Sequence, residues 1–373
     1  MESKVKWVRL GDYIASIERR NYTKQFGIES VRGISNTKEI MPTKAKVDED
    51  VISKFYVIYP NEFIYNPRTT RMGDKVGLAY NYTNKPLLFS FNNIAFGIKE
   101  EKTNAILPEY LYLYLSRDEF DRYARVNSWG SATELFTFED LSLMRIPLPS
   151  LSEQQKVVNA WKALREIKEQ NEAKAAPLMQ LCQSYIQELK HKYPAQEIGP
   201  YIEECNERNV DGKYGVEELR GVTSEGIFDT SKAKTDGLNF LPYKVVHNGE
   251  FAYNPSRINL GSIAMLDEEI SIISPMYIVF KLNSQEIHPQ YLSIWFRRTE
   301  FQRSTLFYAS GSVRDTFDIN EMRRVRIPLP PLDVQRAIVN IYKCANKAKQ
   351  IAAEADRLSR EVCPALLQHV INL

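Results

Sequence analysis

The chain has 373 residues, 43% hydrophobic, 26% charged and 11% aromatic, with a formal net charge of +2. At roughly 100–200 residues per domain this suits two or three domains, each able to bury a core. The balance excludes wholesale disorder, collagen and a coiled coil alone, no run approaches the ~18 apolar residues of a membrane span, and Met1-Glu2-Ser3-Lys4-Val5-Lys6-Trp7 lacks the apolar stretch of a signal peptide. Cys182, Cys205, Cys344 and Cys363 form no Cys-x-x-Cys pair. That argues against a zinc site or disulfide framework and fits a cytoplasmic location. A near-neutral charge neither demands nor forbids nucleic acid, because binding depends on where the basic residues cluster.

In chain order, residues 1–150 read as mixed α and β. Leu10-Gly11-Asp12 opens them, and Phe55-Tyr56-Val57-Ile58-Tyr59 has the β-branched and aromatic character of a strand. Leu111, Leu113, Leu115 and Phe120 predict a helix from Pro108 to Tyr123. After Ile146-Pro147-Leu148-Pro149 a long helix is expected, with Ser152 as N-cap and Gln155 at capping-box spacing. Val157, Trp161, Leu164, Lys168, Asn171, Ala175, Leu178, Cys182, Tyr185 and Leu189 then step by four and three, as a coiled-coil seam does. Pro177 should kink or divide this helix. A second mixed segment follows, with strands at Ile272-Ile273 and Tyr277–Phe280 and a helix from Pro289 to Phe307. Asp333 is the expected cap of a last long helix, whose seam is Ile338, Ile341, Ala345, Ala348, Ala352, Ala355, Ser359, Val362 and Leu366, interrupted by Pro364.

The chain is written twice. Leu10-Gly11-Asp12-Tyr13-Ile14 lies over Ile198-Gly199-Pro200-Tyr201-Ile202, a displacement of 188 residues. At that displacement Arg20-Asn21 meets Arg208-Asn209, Arg32-Gly33 meets Arg220-Gly221, and Phe63-Ile64-Tyr65-Asn66-Pro67 meets Phe251-Ala252-Tyr253-Asn254-Pro255. Further on the displacement falls to 181: Glu119-Phe120 meets Glu300-Phe301, Gly130-Ser131 meets Gly311-Ser312, and Arg145-Ile146-Pro147-Leu148-Pro149 meets Arg326-Ile327-Pro328-Leu329-Pro330. A repeat of this kind implies a two-fold-like molecule. The expected fold is therefore α+β: two similar globular domains (1–150 and 194–331) separated by two long antiparallel helices (151–193 and 332–373) forming a coiled-coil spacer. Helices of roughly forty residues would be about 60 Å long if straight. Lys168 and Asn171 at seam positions either fix the register or mark where the helices splay.

This plan resembles the specificity subunit of type I restriction-modification systems. The resemblance covers the whole chain. It rests on the domain exit and the Glu-Gln helix opening, Ile146-Pro147-Leu148-Pro149-Ser150-Leu151-Ser152-Glu153-Gln154-Gln155 and Ile327-Pro328-Leu329-Pro330-Pro331-Leu332-Asp333-Val334-Gln335. The second departs at Val334, where glutamate is usual. Leu10-Gly11-Asp12, the Tyr-Asn-Pro segments and the Gly-Ser pairs add to it. The resemblance implies a chain without catalysis of its own. Each target-recognition domain would read one half of a split, asymmetric sequence in double-stranded DNA, and the helices would set the unread gap. The implied partners are two methyltransferase subunits and two restriction subunits. S-adenosylmethionine, ATP and Mg²⁺ would sit on those partners, and methylation would fall on adenine N6.

Phosphate contacts need Lys, Arg and small polar donors; base reading favours Arg on guanine and Asn on adenine. Arg19, Arg20, Asn21 and Lys24 form one candidate loop, with Arg208 and Asn209 opposite them in the second copy. Asn66, Arg68 and Arg71 form another after the Tyr-Asn-Pro turn, with Asn254, Arg257 and Asn259 opposite. Solvated turns would look the same. Gly130-Ser131-Ala132-Thr133 and Gly311-Ser312-Val313-Arg314 suit plain turns better than phosphate loops, and Arg323, Arg324 and Arg326 suit solvated surface. Tyr65-Asn66-Pro67-Arg68 stops short of the Asn/Asp-Pro-Pro-aromatic motif of an amino-methyltransferase, and no Gly-x-Gly or Walker loop occurs. Asp74 with Glu100-Glu101-Lys102 could hold Mg²⁺ for a nuclease, but the counterpart Ser284-Gln285-Glu286 has lost the lysine. His191, His247, His288 and His369 show no ligand spacing. The rival class is a helical scaffold whose globular ends bind protein.

Overall fold

The computed structural model describes residues 5–43, 47–68, 75–129, 134–230, 237–308 and 316–372, the side chains of residues 307 and 308 excepted. It is α+β and divides into two compact units, residues 1–170 with 351–373 and residues 171–350. The first long helix spans Leu151–Lys192 and the second Leu332–Ile371, so each unit holds one lobe and a part of both helices.

In the first unit an antiparallel sheet has the order Ile14–Ile17, Ile94–Ile98, Phe63–Tyr65, Leu78–Tyr80. The second repeats it with Ile202–Cys205, Ile278–Leu282, Phe251–Tyr253 and Ile263–Met265. Strand alternation explains the repeated Phe-x-Tyr. Phe63 and Tyr65 face one core with Phe96, Leu78 and Tyr80, while Ile64 faces a smaller one with Ala79 and Ala95. Phe251 and Tyr253 split from Ala252 in the same way. Phe63 stacks on Phe96 at 4.9 Å between centroids, and Phe251 on Phe280 at 5.1 Å. Paired strands Tyr56–Ile58 and Leu87–Phe89, and their counterparts Lys244–His247 and Ile270–Ile273, cover the smaller cores. Each lobe begins and ends on one ladder: Lys6–Arg9 pairs with Arg145–Leu148, and Ala195–Glu197 with Arg326–Pro328.

Close packing at the entrance explains the repeated glycine. A Cβ on Gly11 would lie 2.8 Å from the Ser142 Cβ, and one on Gly199 would lie 3.0 Å from the Arg323 Cβ. The helix ends Phe138–Leu143 and Ile319–Arg323 press onto these openings.

Several expectations are corrected. The helix expected over Pro108–Tyr123 is two, Pro108–Leu115 and Asp118–Val126, and its counterpart is Pro289–Phe296 and Thr299–Tyr308. The break has a use in the first unit: Lys38 Nζ donates to the carbonyls of Leu115 and Arg117 at 3.2 and 3.3 Å. The first long helix is capped by Ser150, whose Oγ accepts from the Glu153 N–H at 3.3 Å, and Ser152 lies within its first turn. Asp333 likewise lies within the second helix, because the Pro331 carbonyl already receives the Val334 and Gln335 N–H groups. Pro177 and Pro364 do not divide their helices. Both prolines are exposed, so water can take the bond that an imide nitrogen cannot make.

Within the first unit Val157, Val158 and Trp161 share one core with Cys363, Leu367 and Val370 and with the lobe itself. Within the second, Cys182, Ile186 and Leu189 do the same with Ile338 and Val339. In the first unit the two helix segments run antiparallel: Trp161 shares a core with Cys363, and Lys168, further along, pairs with Asp356. The last part of the expected seam is out of phase by one residue: Val362 is 37% exposed and Cys363 only 2%. A straight helix drifts by about 20° per heptad against a 3.5-residue repeat, and Val362 lies more than three heptads from Ile338.

Candidate nucleic-acid interface

The first candidate loop hangs on the Tyr56–Ile58 strand through an isolated bridge from Arg20 to Tyr56; in the second lobe Arg208 bridges to Lys244. Asn21 is 1% exposed and organises the loop: its amide donates to the Phe26 and Ile52 carbonyls, and its Oδ1 accepts from the Phe26 N–H. Asn209 is 3% exposed and does the same with Tyr214 and Phe240. Both asparagines are consumed by backbone groups, so neither amide is presented to a base. An unpaired buried amide is costly, and this explains why Asn was repeated here.

Arg19 is held by Glu62 in a two-pronged ion pair, with Nη1 at 2.8 Å and Nη2 at 3.0 Å, and lies over the Tyr59 ring. Arg20 stacks at 3.4 Å from the Tyr56 centroid and donates to the Lys54 carbonyl. Burial pushes the Tyr56 hydroxyl pKa up, against the pull of the Arg20 charge. Lys24, at a φ of 51°, is exposed and 3.1 Å from Asp50. Arg208 is exposed and donates to the Pro242 carbonyl at 2.8 Å. In place of Tyr56 the second lobe has Lys244, whose pKa burial lowers.

The second candidate loop leaves the end of the central strand. The Asn66 Oδ1 accepts from the Arg68 N–H at 3.1 Å, and the Asn254 Oδ1 from the Ser256 N–H at 3.0 Å. These are Asx turns, and they explain the asparagine after Tyr65 and Tyr253. The chain past the turn is pinned by the Phe136 N–H on the Pro67 carbonyl and the Phe317 N–H on the Pro255 carbonyl. Arg257 is exposed and Asn259 half-buried. Arg71, residues 130–133 and residues 311–314 lie outside the described residues, as does Asp74. The structure thus gives the two candidate loops of a lobe separate anchors, one on a strand edge and one at a strand end.

Sequence reasoning missed three features. Gln154, fully buried, ties the helix start to the lobe: Oε1 accepts from the Leu107 N–H, and Nε2 donates to the Ala105 and Pro149 carbonyls. Gln335 repeats this with His288, Glu286 and Pro330. The repeated glutamine was the available signal. Lys38 and Asp121 form a buried ion pair at 2.9 Å, with burial pulling the lysine pKa down against the carboxylate's support. Lobe two has Gly226 and Gln302 there, so no repeat marked it. Trp129 is exposed in a ladder that also contains Arg68. Among the described residues, no group of three or more His, Cys, Asp or Glu side chains is placed to hold a metal ion, and no helix is long and apolar enough to cross a membrane.

Each unit thus carries an α+β lobe with two anchored surface loops, packed on one segment of each long helix. Residues 8–176 match the family model of the type I restriction modification DNA specificity domain. The second half of the chain repeats the residue pattern of that matched half. Its fold is similar to the crystal structure of the type I restriction-modification S subunit from M. genitalium, with 13% identity, a TM-score of 0.64, and coverage of 99% of this chain and 97% of that one. The HsdS subunit from Thermoanaerobacter tengcongensis also matches, at 19% identity and a TM-score of 0.41 over 100% of this chain and 97% of that one. No curated protein matches the chain by sequence.

Proposed function

We propose that the chain reads a two-part, asymmetric site in double-stranded DNA, one half with each lobe, and confers that choice on methyltransferase and restriction subunits while catalysing nothing itself. The observation that carries this is equal framework with unequal side chains. The Asx turns, the pinned strands and the loop-organising asparagines recur in both lobes, whereas Arg68 is replaced by Ser256 at the matching position. Equal frames with different donors suit two different half-sites. Arg68, Arg257, Asn259, Arg208 and Lys24 are the proposed contacts that this geometry leaves at the surface, with Arg71 beside them in sequence. Asn21 and Asn209 support the loops, and Arg19 and Arg20 are braced by Glu62 and Tyr56. The two long helices set the interval between half-sites. S-adenosylmethionine, ATP and Mg²⁺ belong to the partners.

The test is co-expression with the neighbouring methyltransferase gene and genome-wide mapping of methylated adenine. A motif of two parts with a constant gap is expected. Continuous motifs, or no methylation with a demonstrably active methyltransferase, would overturn the proposal and favour a protein-binding scaffold.

A further inference from the structure

We infer that the exposed indole of Trp129 belongs to the DNA-reading surface of the first lobe, as a contact residue for one half-site beside Arg68; this rests on the DNA-reading role proposed above. The geometry is a short ladder. The Trp129 N–H donates to the Leu135 carbonyl at 3.1 Å and the Leu135 N–H returns to the Trp129 carbonyl at 3.0 Å. Leu135 is in turn the antiparallel partner of Arg68, and the Phe136 N–H holds the Pro67 carbonyl at 2.8 Å.

Residues directly opposite in an antiparallel pair place their side chains on one face, with Cβ atoms ~4.5–5.5 Å apart. Arg68, Leu135 and Trp129 therefore form one row. Trp129 is 71% exposed and Leu135 is exposed beside it. Glu134, the neighbouring acid, falls on the opposite face by strand alternation. The helix that precedes the row in sequence, Asp118–Val126, exposes Asp118, Glu119, Arg122, Arg125 and Val126. Its Glu119 is paired with Arg117 at 3.1 Å and Arg122 at 3.5 Å.

The row is thus apolar over Trp129 and Leu135 with the Arg68 guanidinium at its end, and it continues directly from the Asn66–Arg68 turn. A duplex fits both parts: guanidinium groups take phosphates or a guanine edge, while a flat indole packs on a sugar or a thymine methyl and offers one N–H. The second lobe does not repeat the chemistry. Ser256 stands at the place of Arg68 and, at the later displacement, Ser310 at that of Trp129. The row should therefore serve one half-site only.

The experiment uses the full chain in complex with its methyltransferase subunits and two probes: a duplex carrying the methylation motif and an unrelated duplex of equal length. Trp129→Ala should weaken binding of the first about tenfold and leave the second nearly unchanged. Trp129→Phe should lose less. The emission difference between wild type and Trp129→Phe should be quenched by the cognate duplex. Arg68→Ala is the reference for the broader reading. If Arg68→Ala weakens binding while Trp129→Ala binds as wild type without quenching, the DNA reading stands and the role of Trp129 falls. If Trp129→Ala sheds the methyltransferase subunit and keeps its affinity for DNA once the complex is reconstituted, the row is a protein interface and the inference is overturned. If the wild-type complex binds neither duplex, the DNA reading itself fails, and this inference with it.

Discussion

Lys168 Nζ lies 2.7 Å from the Asp356 carboxylate and joins the two long helices within the first unit across 188 residues of sequence. Arg360 holds the other carboxylate oxygen at 2.7 Å. One of the two polar interruptions of the seam, Lys168, thus has its partner on the other long helix. Both side chains are about a quarter exposed, so the pair contributes only ~0.5–1 kcal/mol. Lys168→Met should lower the urea midpoint slightly, and the loss should shrink in high salt. An unchanged midpoint at low salt would show that the pair contributes nothing to stability.

The buried glutamines should matter more. Gln154→Ala leaves the Leu107 N–H and the Ala105 and Pro149 carbonyls without their partner, at a cost of about 2–3 kcal/mol. Amide exchange should rise at Leu107 in this variant and at His288 in Gln335→Ala. Protection unaltered at those amides would refute the clamp.

Lys38 and Asp121 form a coupled pair, because Asp121 also accepts from the Val76 N–H at 2.9 Å. Removing either charge strands the other in the core, so Lys38→Met and Asp121→Leu should each cost about 3–5 kcal/mol. The double variant should cost clearly less than their sum, which a double-mutant cycle by denaturant unfolding measures.

Burial holds the His288 pKa below its ordinary value, and the charges of Lys343 and Arg336 push the same way. The native state then binds fewer protons than the unfolded chain. Stability is fully present above about pH 6.5 and is lost as pH falls from there through the depressed value. His288→Asn should flatten the decline in thermal midpoint between pH 7.5 and 5. An identical slope in the variant would remove His288 from the acid response.

The proposed spacing role makes a geometric prediction. Seven residues added to each long helix at the same level preserve the seam phase and lengthen each by about 10 Å at ~1.5 Å per residue. At about 3.4 Å per base pair the gap should grow by roughly three base pairs with both half-sites unchanged. Methylation mapping reads this directly, and altered half-sites would contradict it.

The duplication, the alternating Phe-x-Tyr strands and the helical seam were legible because each is a local or periodic pattern that burial enforces. What escaped depended on contacts distant in sequence. Nothing near Ser116 announces that its helix stops where Lys38 can take the freed carbonyls. The caps slipped because Ser150 and Pro331 met the first N–H groups before the expected residues could. At the candidate interface the residue types were informative, but their orientation was not. Asn21 and Asn209 looked like adenine readers and turn out to be loop staples, while Trp129 acquires meaning only through the ladder that sets it beside Arg68.

The terminal ladders described above, Lys6–Arg9 on Arg145–Leu148 and Ala195–Glu197 on Arg326–Pro328, make each lobe a closed module. Because the polypeptide enters and leaves each lobe through neighbouring antiparallel strands, the two ends of a lobe close on each other, and a lobe is a unit that could be exchanged whole at those two points. Such an exchange would leave the long-helix segments of that unit unaltered in sequence.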